Sequence, residues 1–159
     1  MEAVAEYISD YERERGKPMP TFNHAIVQKN LLVSLDVRYR KTYTILPEIN
    51  ITMPERPDTV PDIAIYPKLP VDFLHDIQSM TEMPLTAIEI ISPSQSNDDI
   101  LAKFERYFAA GVQSCWLVIP SFQSISVYSA PGKYQFFMSG TLLNDPVTGV
   151  ELPVDEVFE

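Results

Sequence analysis

Apolar and polar residues alternate along this chain in two distinct periods. Between Phe22 and Leu35 the apolar positions fall at helical spacing, with Ile26, Leu31 and Leu35 among them, and Thr21 or Asn23 can cap a helix running from about His24 to Leu35. The first twenty residues read as a short helical lead (Val4, Tyr7, Ile8 and Tyr11 at helical spacing) that ends in the turn Gly16-Lys17-Pro18-Met19-Pro20. Seven β-type runs follow: Thr42 to Leu46, Ile49 to Met53, Asp62 to Tyr66, Leu85 to Ile91, Cys115 to Ile119, Ser124 to Tyr128 and Tyr134 to Met138. The clearest helix signal lies between the fourth and fifth, from Asp98 to Ala110. Ser96 or Asn97 is its N-cap, acids occupy its first turn, and Gly111 stands just past its end. Two apolar strands around one helix predict a βαβ crossover and therefore a mixed sheet. The stretch from Pro67 to Pro84 has no assignable form.

Length and charge narrow the picture. The 159 residues suit one domain, and 45% hydrophobic against 21% charged is ordinary for a globular protein that builds a core without staples. Cys115 is the single cysteine, so no internal disulfide forms. The N-terminus lacks the basic and apolar regions of a signal peptide, and no apolar run approaches the roughly 20 residues needed to cross a bilayer. A soluble, cytoplasmic protein is expected, with no membrane contact. The net charge of −10 argues against a protein that simply coats nucleic acid, although metal ions would add positive charge that this total omits. The charge is uneven. Residues 13–41 hold seven basic side chains against Glu14 and Asp36, a net of +5, whereas from Pro57 onward four basic residues face fourteen acidic ones. Five of those acids fall in the last fifteen residues. The expected division is a helical lead at 1–20, a core domain at 21–144 and an acidic tail at 145–159.

Three polar residues break the apolar pattern. Asp62 opens a strand in Pro61-Asp62-Ile63-Ala64-Ile65, and Glu89 sits inside the most hydrophobic strand, Thr86-Ala87-Ile88-Glu89-Ile90-Ile91. A carboxylate there is costly to bury unless it is paired or holds a metal. Lys103 lies on the following helix, at i, i+4 spacing between Asp99 and Tyr107, beside a core stripe of Ile100, Phe104 and Phe108. Two carboxylates and a lysine are what metal-assisted phosphodiester hydrolysis requires. The bland alternatives are a turn residue for Asp62, an edge position or buried ion pair for Glu89, and a solvated lysine for Lys103. Asp99 fits a Ser96-x-x-Asp99 capping arrangement as well as it fits a metal. Ser92 lacks the surroundings of a nucleophile elbow, and Glu48 is either a third acid near the site or a strand-surface residue.

The order and spacing of these residues resemble a known family. Pro61-Asp62 followed by Glu89-Ile90-Ile91 is similar to the PD-(D/E)xK nuclease signature. The longer pattern, covering roughly Gly16 to Tyr128, resembles the Uma-two family, whose members are described as putative restriction endonucleases. It comprises Pro18-Met19-Pro20 with His24, Val60-Pro61-Asp62-Ile63, Glu89-Ile90-Ile91-Ser92-Pro93-Ser94, Asp98 or Asp99 with Lys103 and Tyr107, and Gly111-Val112 leading to Cys115-Trp116-Leu117-Val118. The signature's lysine would stand at position 91, which is Ile91 here; the resemblance implies that Lys103 supplies it from the helix. It implies an α/β, restriction-endonuclease-like mixed β-sheet flanked by helices, a catalytic set of Asp62, Glu89 and Lys103 with His24 nearby, and Mg²⁺, with Mn²⁺ as its substitute, held by Asp62, Glu89 and the carbonyl of Ile90. DNA is the implied substrate and a homodimer the implied assembly. The competing expectation, from the absent in-strand lysine and the net charge, is an inactive binding or assembly module of the same fold, associated with mobile elements or defence.

Overall fold

A computed structural model describes residues 9–159, so the expected helical positions of Val4, Tyr7 and Ile8 lie outside the described residues. Helix α1 (Asp10–Arg15) is capped by Ser9, whose hydroxyl accepts the Glu12 N–H, and ends at Gly16, which takes the left-handed φ of 66° that reverses the chain. Helix α2 (Phe22–Tyr39) starts at Thr21, whose hydroxyl accepts the His24 N–H. It buries Val27, Leu31, Ser34 and Leu35, and runs a turn beyond the expected end because the half-buried Tyr39 still packs on the core. Ile26 is only half-buried; Val27 takes its place on the inner face.

Strands β1 (Tyr43–Pro47), β2 (Ile63–Pro67), β3 (Thr86–Ile90), β4 (Ser114–Ile119), β5 (Ser124–Ala130) and β6 (Lys133–Met138) form one sheet in chain order. Every pairing is antiparallel except β3 with β4, which helix α3 (Asn97–Ala110) connects as the expected parallel crossover. β3 is buried at all five positions, as befits a strand covered on both faces. Alternation divides its side chains. Ile88 and Ile90 join Ile63, Ile65 and Trp116 under α2, while Ala87 joins Cys115, Leu117 and Phe104 under α3. On α3 the buried stripe is Ile100, Phe104 and Tyr107; Tyr107 is fully enclosed, whereas Phe108, expected in the core, is only half-buried.

Two segments depart from the sequence reading. Ile49 to Met53 is not a ladder strand. Glu48 turns the chain at a positive φ of 44°, and Ile51 makes only isolated bridges to Thr59 and Met80. Ile51 is buried, so its apolar run reflects packing under α3 rather than sheet pairing.

The acidic C-terminal segment, for its part, is built into the core. Strands β7 (Leu142–Asn144) and β8 (Glu151–Pro153) pair as a hairpin, and Leu143, Val150, Leu152, Val154 and Val157 are fully buried beside α2. Asp145 is fully buried too, accepting hydrogen bonds from Ser114 Oγ (2.7 Å) and Trp116 Nε1 (2.8 Å). Glu156 pairs with Arg38 at 2.8 Å. Net charge hid a short alternating apolar pattern in this stretch.

Candidate functional site

The β2–β3 register pairs Ile63 with Ile88, Ala64 with Ala87 and Ile65 with Thr86. One step beyond the Ile63–Ile88 end of this ladder, the register brings Asp62 opposite Glu89. Glu89 has the parity of Ala87 and projects to the α3 face, while Asp62 stands just before β2 at the end of the same ladder. Each is 1% exposed. Two buried carboxylates facing each other require compensation, and the structure supplies it from two lysines.

Lys17 reaches in from the turn after α1. Its Nζ lies 2.6 Å from Asp62 Oδ1, and the side chain is buried. His24, in the first turn of α2, sets Nε2 3.2 Å from the same oxygen, while Asp62 Oδ2 accepts the Ile90 N–H at 2.7 Å. Burial alone would raise the Asp62 carboxyl; the His24 hydrogen bond and the Lys17 charge outweigh it and hold the group below the usual carboxylate range. Burial alone would likewise lower the Lys17 ammonium, but the negative charges of Glu89, Asp62 and Glu48 hold it above its ordinary value. The two shifts agree on a charged pair.

Glu89 is held from α3. Tyr107 donates its hydroxyl to Glu89 Oε1 at 2.9 Å, and Lys103 Nζ lies 3.2 Å from the same oxygen. Because the Tyr107 proton is committed to Glu89, the Thr59 hydroxyl at 2.9 Å is the donor to Tyr107. Burial and the charge on Glu89 keep the Tyr107 phenol far above its ordinary pKa, so it remains a donor. Lys103 retains 21% of its side-chain exposure, unlike Lys17 at 7%. Lys103 is thus the lysine within reach of a ligand in solvent.

Of the residues expected from sequence, His24 and the Ile90 N–H meet at Asp62, and Lys103 meets Glu89. Asp99 closes a capping box with Ser96 and takes no part in the cluster. Glu48 lines the cavity beside Asp62, and its carboxylate accepts a hydrogen bond from Tyr11 at 3.1 Å. Its positive φ places conformational strain next to the charged residues. Lys17 escaped the sequence reading because a lysine in a Pro-rich turn has no local signature; Tyr107 was read as part of Lys103's polar face. Cys115 is buried, and burial followed by the charge of Glu89 pushes its thiol far up, which excludes a thiolate nucleophile.

The small cavity at Asp62 measures about 10 Å³, room for roughly one water. Among the described residues no group of three or more His, Cys, Asp or Glu side chains is arranged to hold a metal. The two carboxylates nevertheless supply hard oxygen donors. The Ile90 carbonyl shares its strand side with the N–H that meets Asp62, and hard cations complete such partial sets with backbone oxygen and water. The donor chemistry fits a divalent cation of the Mg²⁺ class.

Comparison with known proteins bears on this arrangement. The Uma2 family model, described as "Putative restriction endonuclease", matches residues 5–155. The chain belongs to the Uma2 family. Its structure is similar to the crystal structure of "a putative nuclease belonging to DUF820" from Anabaena variabilis ATCC 29413. The TM-score is 0.76 and the sequence identity 25%, over 89% of this chain and 83% of that one. Among curated proteins nothing matched. In this Uma2 chain position 91 is isoleucine, and the cations stand on α3 and on the turn before α2 instead. No helix among the described residues is long and apolar enough to cross a membrane.

Proposed function

We propose that this Uma2 chain is a metal-dependent endonuclease that hydrolyses phosphodiester bonds in DNA. The observation that carries the reading is the register. Two buried acids stand at the same end of the β2–β3 ladder, and a lysine from another element is set on each. Asp62, Glu89 and the Ile90 carbonyl would hold Mg²⁺ or Mn²⁺, which would supply positive charge to the scissile phosphate and acidity to a nearby water. Lys103, the more exposed lysine, holds a phosphate oxygen or orients the attacking water. His24 fixes the orientation of Asp62 through Nε2 and acts as a positioning residue. Tyr107 and Thr59 do the same for Glu89.

Replacing Glu89→Gln removes the charge from the donor set while preserving its shape. Metal-dependent cleavage of supercoiled and linear DNA is expected to vanish in that variant, and undiminished cutting would overturn the assignment. Cutting both strands of a duplex generally needs two such sites, so a homodimer belongs to this reading, with light scattering as its check.

A second reading is favoured by one specific feature: both Asp62 oxygens are already satisfied, by Lys17, His24 and the Ile90 N–H. Such a self-compensated cluster suits a non-cleaving module of the same fold. Titration calorimetry with Mn²⁺ separates the two, because the module takes up no stoichiometric metal and the nuclease loses its uptake in Glu89→Gln.

A further inference from the structure

A groove of about 490 Å³ opens next to the cavity on Asp62, between the first turn of α2, the segment after β3 and the turn after β4. It lies at the C-terminal ends of the two parallel strands, where α/β sheets commonly receive ligands. His24, Ser92 and Gln95 belong both to this groove and to the small cavity on Asp62, so the two share a wall. Two large aromatic side chains on its lining face solvent: Phe22 is 79% exposed and Phe122 74%. Asn23 and Asn97 add side-chain amides, and no Asp, Glu, Lys or Arg is among the described residues that line it. α2 also begins there without an acidic residue in its first turn, which leaves the positive end of its dipole uncompensated.

We propose that this groove receives an unpaired nucleobase of the strand being cut, stacked on Phe22 or Phe122 with its edge within reach of the Asn23 and Asn97 amides; the proposal rests on the nuclease reading. Three features favour a base over other occupants. The lining is uncharged, as a base face is, and its amides can answer both donors and acceptors on a base edge. It shares His24, Ser92 and Gln95 with the cavity on Asp62, so a base seated there brings its strand's backbone toward Asp62. The chain carries a net −10, so counterion release is a weak source of affinity for it, whereas stacking on an aromatic ring is largely independent of charge. The substrate class that follows is nucleic acid with single-stranded, flapped or flipped-out nucleotides rather than a uniform duplex.

The test uses the full chain in EDTA, which prevents cutting, with a single-stranded oligonucleotide carrying 2-aminopurine as the probe. Fluorescence quenching on binding and an affinity at least tenfold above that for a blunt duplex are expected. Phe22→Ala with Phe122→Ala should weaken oligonucleotide binding by roughly tenfold or more and abolish the quenching, since base–aromatic stacking is of that size. An unchanged thermal midpoint shows that the variant is folded, and both residues are exposed enough to permit it. An abasic site at the probe position should match the double variant in its effect. The inference is overturned if the double variant and the abasic oligonucleotide bind as tightly as their parents. It is also overturned if the variant merely converts a dimer to a monomer with binding unchanged, which would make the groove a self-association surface. In either case the wild-type chain, assayed with Mg²⁺, still cuts and the nuclease reading stands. A chain that neither binds nor cuts any nucleic acid overturns both.

Discussion

Asp62 and Glu89 face each other one step past the end of the β2–β3 ladder, yet they are neutralised from opposite directions, Asp62 by Lys17 of the N-terminal turn and Glu89 by Lys103 of α3. On the proposed metal reading, a cation at this site would meet two ammonium groups already in place, and its binding would be an exchange of positive charge rather than a simple addition.

Lys17→Met exposes that exchange. Removing one partner of a buried ion pair costs about 3–5 kcal/mol, because the remaining charge is left without compensation. The expected outcome is a lower thermal midpoint without metal, with Mg²⁺ or Mn²⁺ raising it more in the variant than in the parent. Equal metal-induced shifts in the two proteins would mean that Lys17 and the ion do not compete for Asp62.

Tyr107→Phe deletes a hydroxyl that donates to Glu89 and accepts from Thr59 inside a closed core. Leaving those groups unsatisfied is expected to cost about 1–3 kcal/mol in urea denaturation. The second substitution Thr59→Val should then cost less in the Tyr107→Phe background than in the parent, as partners in one network do.

Acid titration should single out Asp62. Its folded carboxyl sits below the ordinary 3.8, so its contribution to stability is complete above that pH and is lost as the pH falls through the lower folded value. Lys17 works in the opposite direction. Its folded ammonium lies above the ordinary 10.5, so its contribution is complete below that pH and is lost as the pH rises through the higher folded value. The pair is expected to hold throughout the interval between. Asp62→Asn should flatten the loss of stability below pH 3.8, and an unchanged acid limb in that variant would remove Asp62 from the account.

Ending the chain after Asn144 would delete Val150, Leu152, Val154 and Val157, all fully buried. At about 1.5–3 kcal/mol each, their loss approaches a domain's entire net stability of about 5–15 kcal/mol. The truncated chain is expected to be unfolded by circular dichroism, whatever its effect on nucleic-acid binding. The sequence sets residues 145–159 apart as an acidic tail, whereas their apolar side chains complete the core beside α2.

Local rules made the main elements legible. Caps at Thr21 and Ser96, the glycine after α3 and the apolar runs of β2 to β6 all rest on interactions between near neighbours in sequence. Glu89 was legible for a related reason, since an acid in an otherwise apolar buried strand contradicts its surroundings. Register was harder to read, because the opposition of Asp62 and Glu89 depends on how two strands align and neither strand encodes that alone. Lys17 was illegible. It lies 45 residues from its partner, and no periodicity links a lysine in a turn to a carboxylate on a distant strand. The C-terminal hairpin was missed because its strands are three residues each, too short to establish a period.

The turn that carries Lys17 belongs neither to the sheet nor to the two long helices. A protein begun at Thr21 would keep every strand and both long helices while giving up one of the two cations that make its interior acids tolerable. Dissection by secondary structure and dissection by charge thus place the start of this domain at different residues. Fusions or tags that pull on the segment before Thr21 would act first on the electrostatics of the centre.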